Sequence, residues 1–251
     1  PPERIAMKQA DSIGIVRRLI EFDTVSSNSN LPLIDWVRDY LRAHGVPSRL
    51  TYDAQRQKAN LFATIGSGHE GGIVLAGHTD TVPVTGQTWL TDPFGATLKD
   101  GRIYGRGAAD MKGFIGVCLA LVPEMAAAAM GRPLHLALTF DEETTMLGAR
   151  TLIADLRDQG VRPLACLIGE PTGMKSIVGH KGRRAIRCCV RGRSAHTSVP
   201  MLGVNAIEYA AKIIDHLRGM AERHKAQEQR HYGYEVPYST IMTTHVAGGV
   251  S

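Results

Sequence analysis

The stretch Ile73-Val-Leu-Ala-Gly-His-Thr-Asp-Thr-Val-Pro83 reads as a short buried strand that stops on a histidine and an aspartate. Two later stretches have the same form. Leu134–Phe140 runs into Asp141-Glu-Glu-Thr-Thr145, and Leu164–Ile168 runs into Gly169-Glu-Pro-Thr172. Short apolar runs bounded by turn residues fit strands covered on both faces. Between them the period changes, and Lys112–Ala129 and Thr145–Asp158 read as helices. Asn60–Ile65 is a further strand, joined to Ile73–Gly77 by the turn-like Gly66-Ser-Gly-His-Glu-Gly-Gly72. Upstream, Asp11–Phe22 and Leu33–His44 carry helical stripes, the second stopping at Gly45. Strands alternating with helices predict an α/β fold, a mixed sheet flanked by helices. In such sheets ligands gather beyond the carboxyl ends of the strands. His78, the Glu142-Glu143 pair and Glu170 each follow such an end. Three groups distant in sequence are therefore expected at one edge.

Composition narrows the field without choosing within it. The chain has 251 residues, 43% hydrophobic and 21% charged, which is ordinary for globular proteins. The net charge of +5 is spread along the chain and is not interleaved with aromatics. It gives no argument for nucleic acid as partner. No run reaches the ~20 apolar residues of a membrane helix, and Pro1–Lys8 lacks a signal-peptide core. Cys118, Cys166, Cys188 and Cys189 have no disulfide or zinc-finger spacing. They read as buried, reduced thiols of a cytoplasmic protein, with Cys188 and Cys189 on opposite faces of a strand. Near Lys181 the pattern changes. Ala185–Arg191 alternates, Val204–Leu217 is helical and Tyr238–Val246 is strand-like. A smaller α+β domain is expected to begin there, dividing the chain into 1–180 and 181–251.

One histidine among several strand-end carboxylates suits a divalent metal such as zinc. A doubled glutamate allows one carboxylate to bind metal while its neighbour moves a proton. Each residue also has a blander reading. A lone His78 is more often a polar core residue. Asp110, in Gly105-Arg-Gly-Ala-Ala-Asp-Met-Lys-Gly113, fits a helix N-cap. Asp141, Glu142 and Glu143 complement the dipole of the next helix. His196, in Gly192-Arg-Ser-Ala-His-Thr-Ser-Val-Pro200, fits a surface loop. His180-Lys181 and Arg183-Arg184 are a solvated charge run or an attractor for a substrate carboxylate. His44, His69, His135, His216, His224, His231 and His245 read as structural or surface residues.

Taken in order, His78-Thr-Asp80, Asp110-Met-Lys-Gly113, Asp141-Glu-Glu-Thr144 and Gly169-Glu-Pro-Thr172 resemble the M20 family of metallopeptidases and amidohydrolases. The likeness runs from Ile13 to the last residue. It implies a zinc-peptidase-like catalytic domain holding two Zn2+ ions, with Co2+ as a substitute. His78, Asp110 and Glu170 would hold one metal, and Asp110 would bridge to a second held by Glu143. Asp80 would orient His78, and Glu142 would be the general base. His196, preceded by Ala195 where the family often has Gly, would lie in a lid and dimerisation domain. From there it would reach the partner subunit's site in a homodimer. The implied substrate is a small N-acyl amino acid, best N2-acetyl-L-ornithine in arginine biosynthesis, with no nucleic acid or membrane involved. Succinyl-diaminopimelate desuccinylase chemistry, another amide hydrolysis, or an inactive metal-binding or dimerisation protein remain alternatives. Family members continue past Ser251 and supply one more His ligand, so the 251 residues alone are expected to be an incomplete, inactive piece.

Overall fold

The computed structural model describes residues 2–67, 71–128 and 131–249, with side chains from residue 12 onward. His69, Ala129 and Ser251 lie outside the described residues. The chain divides between Met174 and Lys175 into two compact units.

The first unit contains α1 (Pro2–Glu21), α2 (Leu31–Ala43), β1 (Ser48–Tyr52), β2 (Ala59–Ile65), β3 (Ile73–His78), β4 (Thr97–Lys99) and β5 (Arg102–Tyr104), in chain order. It continues with α3 (Gly113–Ala127), β6 (Leu134–Thr139), α4 (Leu147–Asp158) and β7 (Ala165–Ile168). Five strands form a sheet in the order β1-β2-β6-β3-β7, and β4 pairs with β5 in a small hairpin. The β1–β2 and β2–β6 pairings are antiparallel. The β3–β6 and β3–β7 pairings are parallel. The sheet is therefore mixed. The turn after β2 does not make a hairpin, because β6 lies between β2 and β3.

Alternation along each strand divides the core. Leu61, Ala63 and Ile65 of β2 and Leu136 and Leu138 of β6 pack with Leu19, Leu33, Ile34, Val37, Leu41, Ile115 and Leu119 from α1, α2 and α3. The residues between them, Phe62 and Ala137, turn to the other face and meet Leu152 of α4. A strand with both faces covered reads as a continuous apolar run, which is why β2, β3 and β6 are visible in the sequence. The α2 stripe ends where Gly45 adopts φ +72° and returns its N–H to the Arg42 carbonyl.

The second unit contains one long helix, α5 (Ala206–Gln227). Asn205 caps it, its side-chain oxygen accepting from the Ile207 and Glu208 N–H groups. A single bridge joins Arg193 to Val204. The alternation over Ala185–Arg191 and Tyr238–Val246 predicts strands, yet neither run finds a ladder partner among the described residues. Without a partner, an alternating pattern does not become a strand. The cysteine expectation also changes. All four thiols are free, but only Cys118 is buried. Cys166 lies on β7, which pairs on one side only, and Cys188 and Cys189 are exposed outside any strand. Burial pushes the Cys118 thiol up to about 12. No helix among the described residues is long and apolar enough to cross a membrane.

Lys112 is wholly buried, and its Nζ donates to the Phe22 carbonyl just past α1 at 2.7 Å. Burial pushes its ammonium down from 10.5 to about 7, against the pull of Asp23 and Asp80. Between those two values the unfolded chain holds a proton that the folded chain lacks, so this group makes stability rise with pH across that window. Urea midpoints of the parent should therefore gain on those of Lys112→Met as pH rises from 7 toward 10.5. Parallel curves for the two proteins would refute this.

Candidate metal centre

Three parallel strands deliver the site. β3 ends on His78, and in register beside it β6 ends on Thr139, just before Asp141-Glu-Glu143. β7 ends on Ile168 and leads into Gly169-Glu170. Asp110 arrives from the irregular turn Ala108–Lys112 ahead of α3. His78 Nε2 lies 2.9 Å from Asp110 Oδ1, 3.7 Å from Glu170 Oε1 and 3.9 Å from Glu142 Oε2. One ligand atom each from His78, Asp110 and Glu170 lie within 4.8 Å of one another.

The imidazole is set for ligation. His78 Nδ1 faces the Asp80 backbone carbonyl at 2.8 Å. A carbonyl only accepts, so Nδ1 carries a proton there, and Nε2 is the nitrogen turned toward the carboxylates, where a cation would replace its proton. The Asp80 carboxylate is farther, with Oδ1 at 3.6 Å from Nδ1. It accepts instead from Ser26 Oγ at 2.7 Å and from the backbone N–H groups of Glu142 at 3.0 Å and Glu143 at 3.3 Å. Burial pushes the Asp80 carboxyl up, but the neighbouring His78 ring and hydrogen bonds from Ser26 and the Glu142 N–H hold it below its usual range.

The donor set fits a divalent cation. Burial depresses the His78 imidazole, yet Asp80 and then Asp110 outweigh it and lift the ring to about 9. Burial raises the Glu143 carboxyl, and repulsion from Asp110 adds to it. Glu170 is raised in the same way, with burial leading and Asp110, Glu142 and Glu143 contributing against the pull of His78. A cation relieves such crowding. The His78 side chain is 2% exposed, whereas Asp110, Glu142 and Glu170 are 48%, 36% and 38% exposed. The site has a buried floor and an open, acidic mouth.

His196 belongs to the second unit and is exposed, its Nδ1 accepting from the Ser198 N–H at 3.2 Å and lying 2.8 Å from Ser198 Oγ. That leaves Nε2 as the protonated nitrogen of the neutral ring. Lys181 donates to the Tyr238 carbonyl at 2.7 Å, and His180 Nδ1 lies 2.9 Å from the Lys181 carbonyl. His135 is buried, 3.0 Å from Thr64 Oγ1 and stacked on Phe62. Sequence reasoning passed over Ser26, Asn30, Lys58 and Asn60, which brace the site. Asn30 Nδ2 donates to the Ala59 carbonyl and to Thr79 Oγ1, both at 2.9 Å. Asn60 holds the Gly148 carbonyl at 2.9 Å and the Phe140 N–H at 3.3 Å. The available signal was a polar residue opening or interrupting an apolar run, as Asn60 does.

The profile of peptidase family M20/M25/M40 matches residues 74–246. The chain is similar to an acetylornithine deacetylase of Pasteurella multocida (strain Pm70), 40% identical over 238 residues covering 92% of this chain and 61% of that protein. It is also similar to an acetylornithine deacetylase of Shigella sonnei (strain Ss046), 38% identical over 245 residues covering 94% and 62%. The chain thus spans 61–62% of the length of these two relatives. In fold it is similar to human carnosine dipeptidase 1, with a TM-score of 0.58 and 20% identity over 66% of this chain and 39% of that one. A tripeptidase from Staphylococcus aureus subsp. aureus Mu50 gives a TM-score of 0.56 and 19% identity over 83% and 56%.

Gly169 allows a test that removes no ligand. A Cβ there would lie 2.0 Å from Cγ of Phe114, so the Phe114 ring or the loop carrying Glu170 must shift. Gly169→Ala is expected to lose metal on dialysis as readily as Glu170→Ala, at a stability cost of about 1–3 kcal/mol. Elemental analysis and thermal melting measure both. Parental metal content in both Gly169→Ala and Glu170→Ala would show that Glu170 does not hold metal; retention in Gly169→Ala alone would show that the Phe114 ring gives way and the loop keeps its place.

Proposed function

Because the chain belongs to peptidase family M20/M25/M40, we propose that it carries the catalytic part of a metal-dependent amidohydrolase. The substrate is an N-acyl amino acid, specifically N2-acetyl-L-ornithine, cleaved to L-ornithine and acetate in arginine biosynthesis. The observation that carries this reading is the convergence of His78 Nε2 with Asp110, Glu142 and Glu170 at one sheet edge. The names of the relatives support the choice of substrate.

His78, Asp110 and Glu170 would hold one Zn2+, and Asp110 and Glu143 would be ligands of a second; Co2+ could substitute. When bound, such ions polarise an amide carbonyl and make water a better nucleophile at neutral pH. Glu142 is the base. It takes a proton from the attacking water as the carbon–oxygen bond forms. It returns that proton to the amine nitrogen as the carbon–nitrogen bond breaks. Asp80 keeps the His78 ring aligned through its backbone carbonyl and keeps the Glu142 segment in place through its carboxylate. His196, with Nε2 protonated, donates to the carbonyl oxygen as it gains negative charge. It does so across a homodimer, into the partner subunit's site. Ile207, Tyr209 and Ile213 of α5 are exposed apolar groups that support association of the second unit. Four free thiols support a reducing, cytoplasmic setting.

Two measurements test the reading on the intact protein. Glu142→Gln should keep its metal while kcat falls by about three orders of magnitude or more, as removal of a general base does. Near-parental kcat at full metal content would remove Glu142 from that role. Across a panel of N-acyl amino acids, kcat/KM should be highest for N2-acetyl-L-ornithine. A preference for N-succinyl-diaminopimelate would move the protein to the desuccinylase reaction.

A further inference from the structure

Lys58 stands one residue before β2 and outside every motif that marks the site. Its side chain is nevertheless largely covered, 16% exposed, against an Asp141 side chain that is 14% exposed. Nζ donates to Asp141 Oδ1 and to the Ser26 carbonyl, each at 2.5 Å. These two contacts close a ring. From Asp141 the backbone runs to Glu142, whose N–H donates to Asp80 Oδ1. Asp80 Oδ2 accepts from Ser26 Oγ, and the carbonyl of that same Ser26 accepts from Lys58. One cation thus meets the Asp141 carboxylate directly and the Asp80 carboxylate through Ser26, with the Glu142 N–H completing the ring.

Both ends of the lysine are fixed. At its backbone, the Lys58 N–H donates to Asp53 Oδ1 at 2.9 Å and its carbonyl accepts from the Asp53 N–H at 3.0 Å, within the β1–β2 turn. Ser26 is anchored by its N–H to the Thr81 carbonyl at 3.0 Å, beside the end of β3. On the far side, Asp141 has φ +58°, a left-handed conformation that Asp and Asn tolerate better than most residues. Its carbonyl accepts from the Met146 N–H at 2.7 Å and starts the turn into α4. Asn60, two residues after Lys58 and so on the same side of the strand, grips Phe140 and Gly148 at the two ends of that turn.

We propose that Lys58 is a positioning residue for Glu142: by pairing with Asp141 and the Ser26 carbonyl, it fixes the turn from which the Glu142 carboxylate reaches the reacting groups. This rests on Glu142 being the base. Lys58 touches none of the candidate ligands in the contacts described above, so its loss should leave the metal in place and spoil alignment.

The test compares the parent, Lys58→Met, Lys58→Met/Asp141→Asn and Glu142→Gln in the intact, metal-loaded protein, with metal content, urea midpoint, kcat and KM measured for each. Lys58→Met leaves Asp141 buried without its cation, so it should lower the urea midpoint as well as kcat. The double variant removes both charges and should recover much of the midpoint. Its kcat should stay about 10- to 100-fold below the parent, with KM within about threefold, because a displacement on the ångström scale costs rate more than binding. Metal content should match the parent throughout. If Lys58→Met fails to fold, the double variant decides. A double variant that recovers both midpoint and kcat shows a merely structural ion pair and overturns the proposal, as does metal loss that accounts for the lost rate. Glu142→Gln separates the two readings. If it is inactive while the Lys58 variants turn over normally, only the positioning role fails. If it turns over normally, the base assignment fails and the positioning role fails with it.

Discussion

The carboxylate of Asp80 lies on a residue only 3% exposed, and a buried charge is tolerated only where hydrogen bonds replace water. The places where Asp80 finds those bonds fix the site. It collects them from Ser26 on the segment after α1 and from the Glu142 and Glu143 N–H groups after β6. Three chain segments that meet nowhere in sequence are therefore held at the end of β3. The backbone carbonyl of the same residue takes the His78 ring proton, so one residue sets both the orientation of the imidazole and the path of the acidic turn. The parallel pairing of β3 with β6 and β7 supplies the coarse placement. The Asp80 bonds supply the fine placement.

Much of this was legible in sequence because burial on both faces leaves a plain mark. β2, β3 and β6 are largely apolar, and candidate site residues end β3 or closely follow β6. Where burial is partial the mark fades. All five residues of β1 are half-buried, and β4 and β5 have three residues each, so neither period nor length announces them. The second unit shows the converse. Alternation over Ala185–Arg191 and Tyr238–Val246 looks like strand, but a strand is made by its neighbour, and local sequence does not encode one.

The site was legible to the same degree and for the same reason. His78, Asp80, Asp110, Glu142, Glu143 and Glu170 stand at element ends, where a polar residue after an apolar run is conspicuous. The braces are not conspicuous, because their partners are remote. Lys58 meets Asp141 across 83 residues, Ser26 meets Asp80 across 54, and Asn60 meets Gly148 across 88. Before the fold is known, Lys58 resembles any lysine in a polar turn. Only the closing of β1 on β2, and of β2 on β6, turns it into a largely covered cation between Asp141 and the Ser26 carbonyl.

This arrangement also separates holding from reacting. The candidate ligand His78 is buried and fixed through Nδ1, as suits a group that must keep one geometry. Glu142 is fixed differently. Its backbone N–H is bonded to Asp80, while its carboxylate is 36% exposed, with His78 Nε2 3.9 Å away. An anchored main chain with an open carboxylate suits a group that must accept a proton and then surrender it, since firm hydrogen bonds to the carboxylate would stabilise one protonation state over the other. On the proposed reading, rigidity belongs in the turn beneath Glu142, where Asp80, Asp141 and Lys58 lie, and freedom in its side chain. If the proposed roles hold, the same sheet edge would hold a cation and still move a proton beside it.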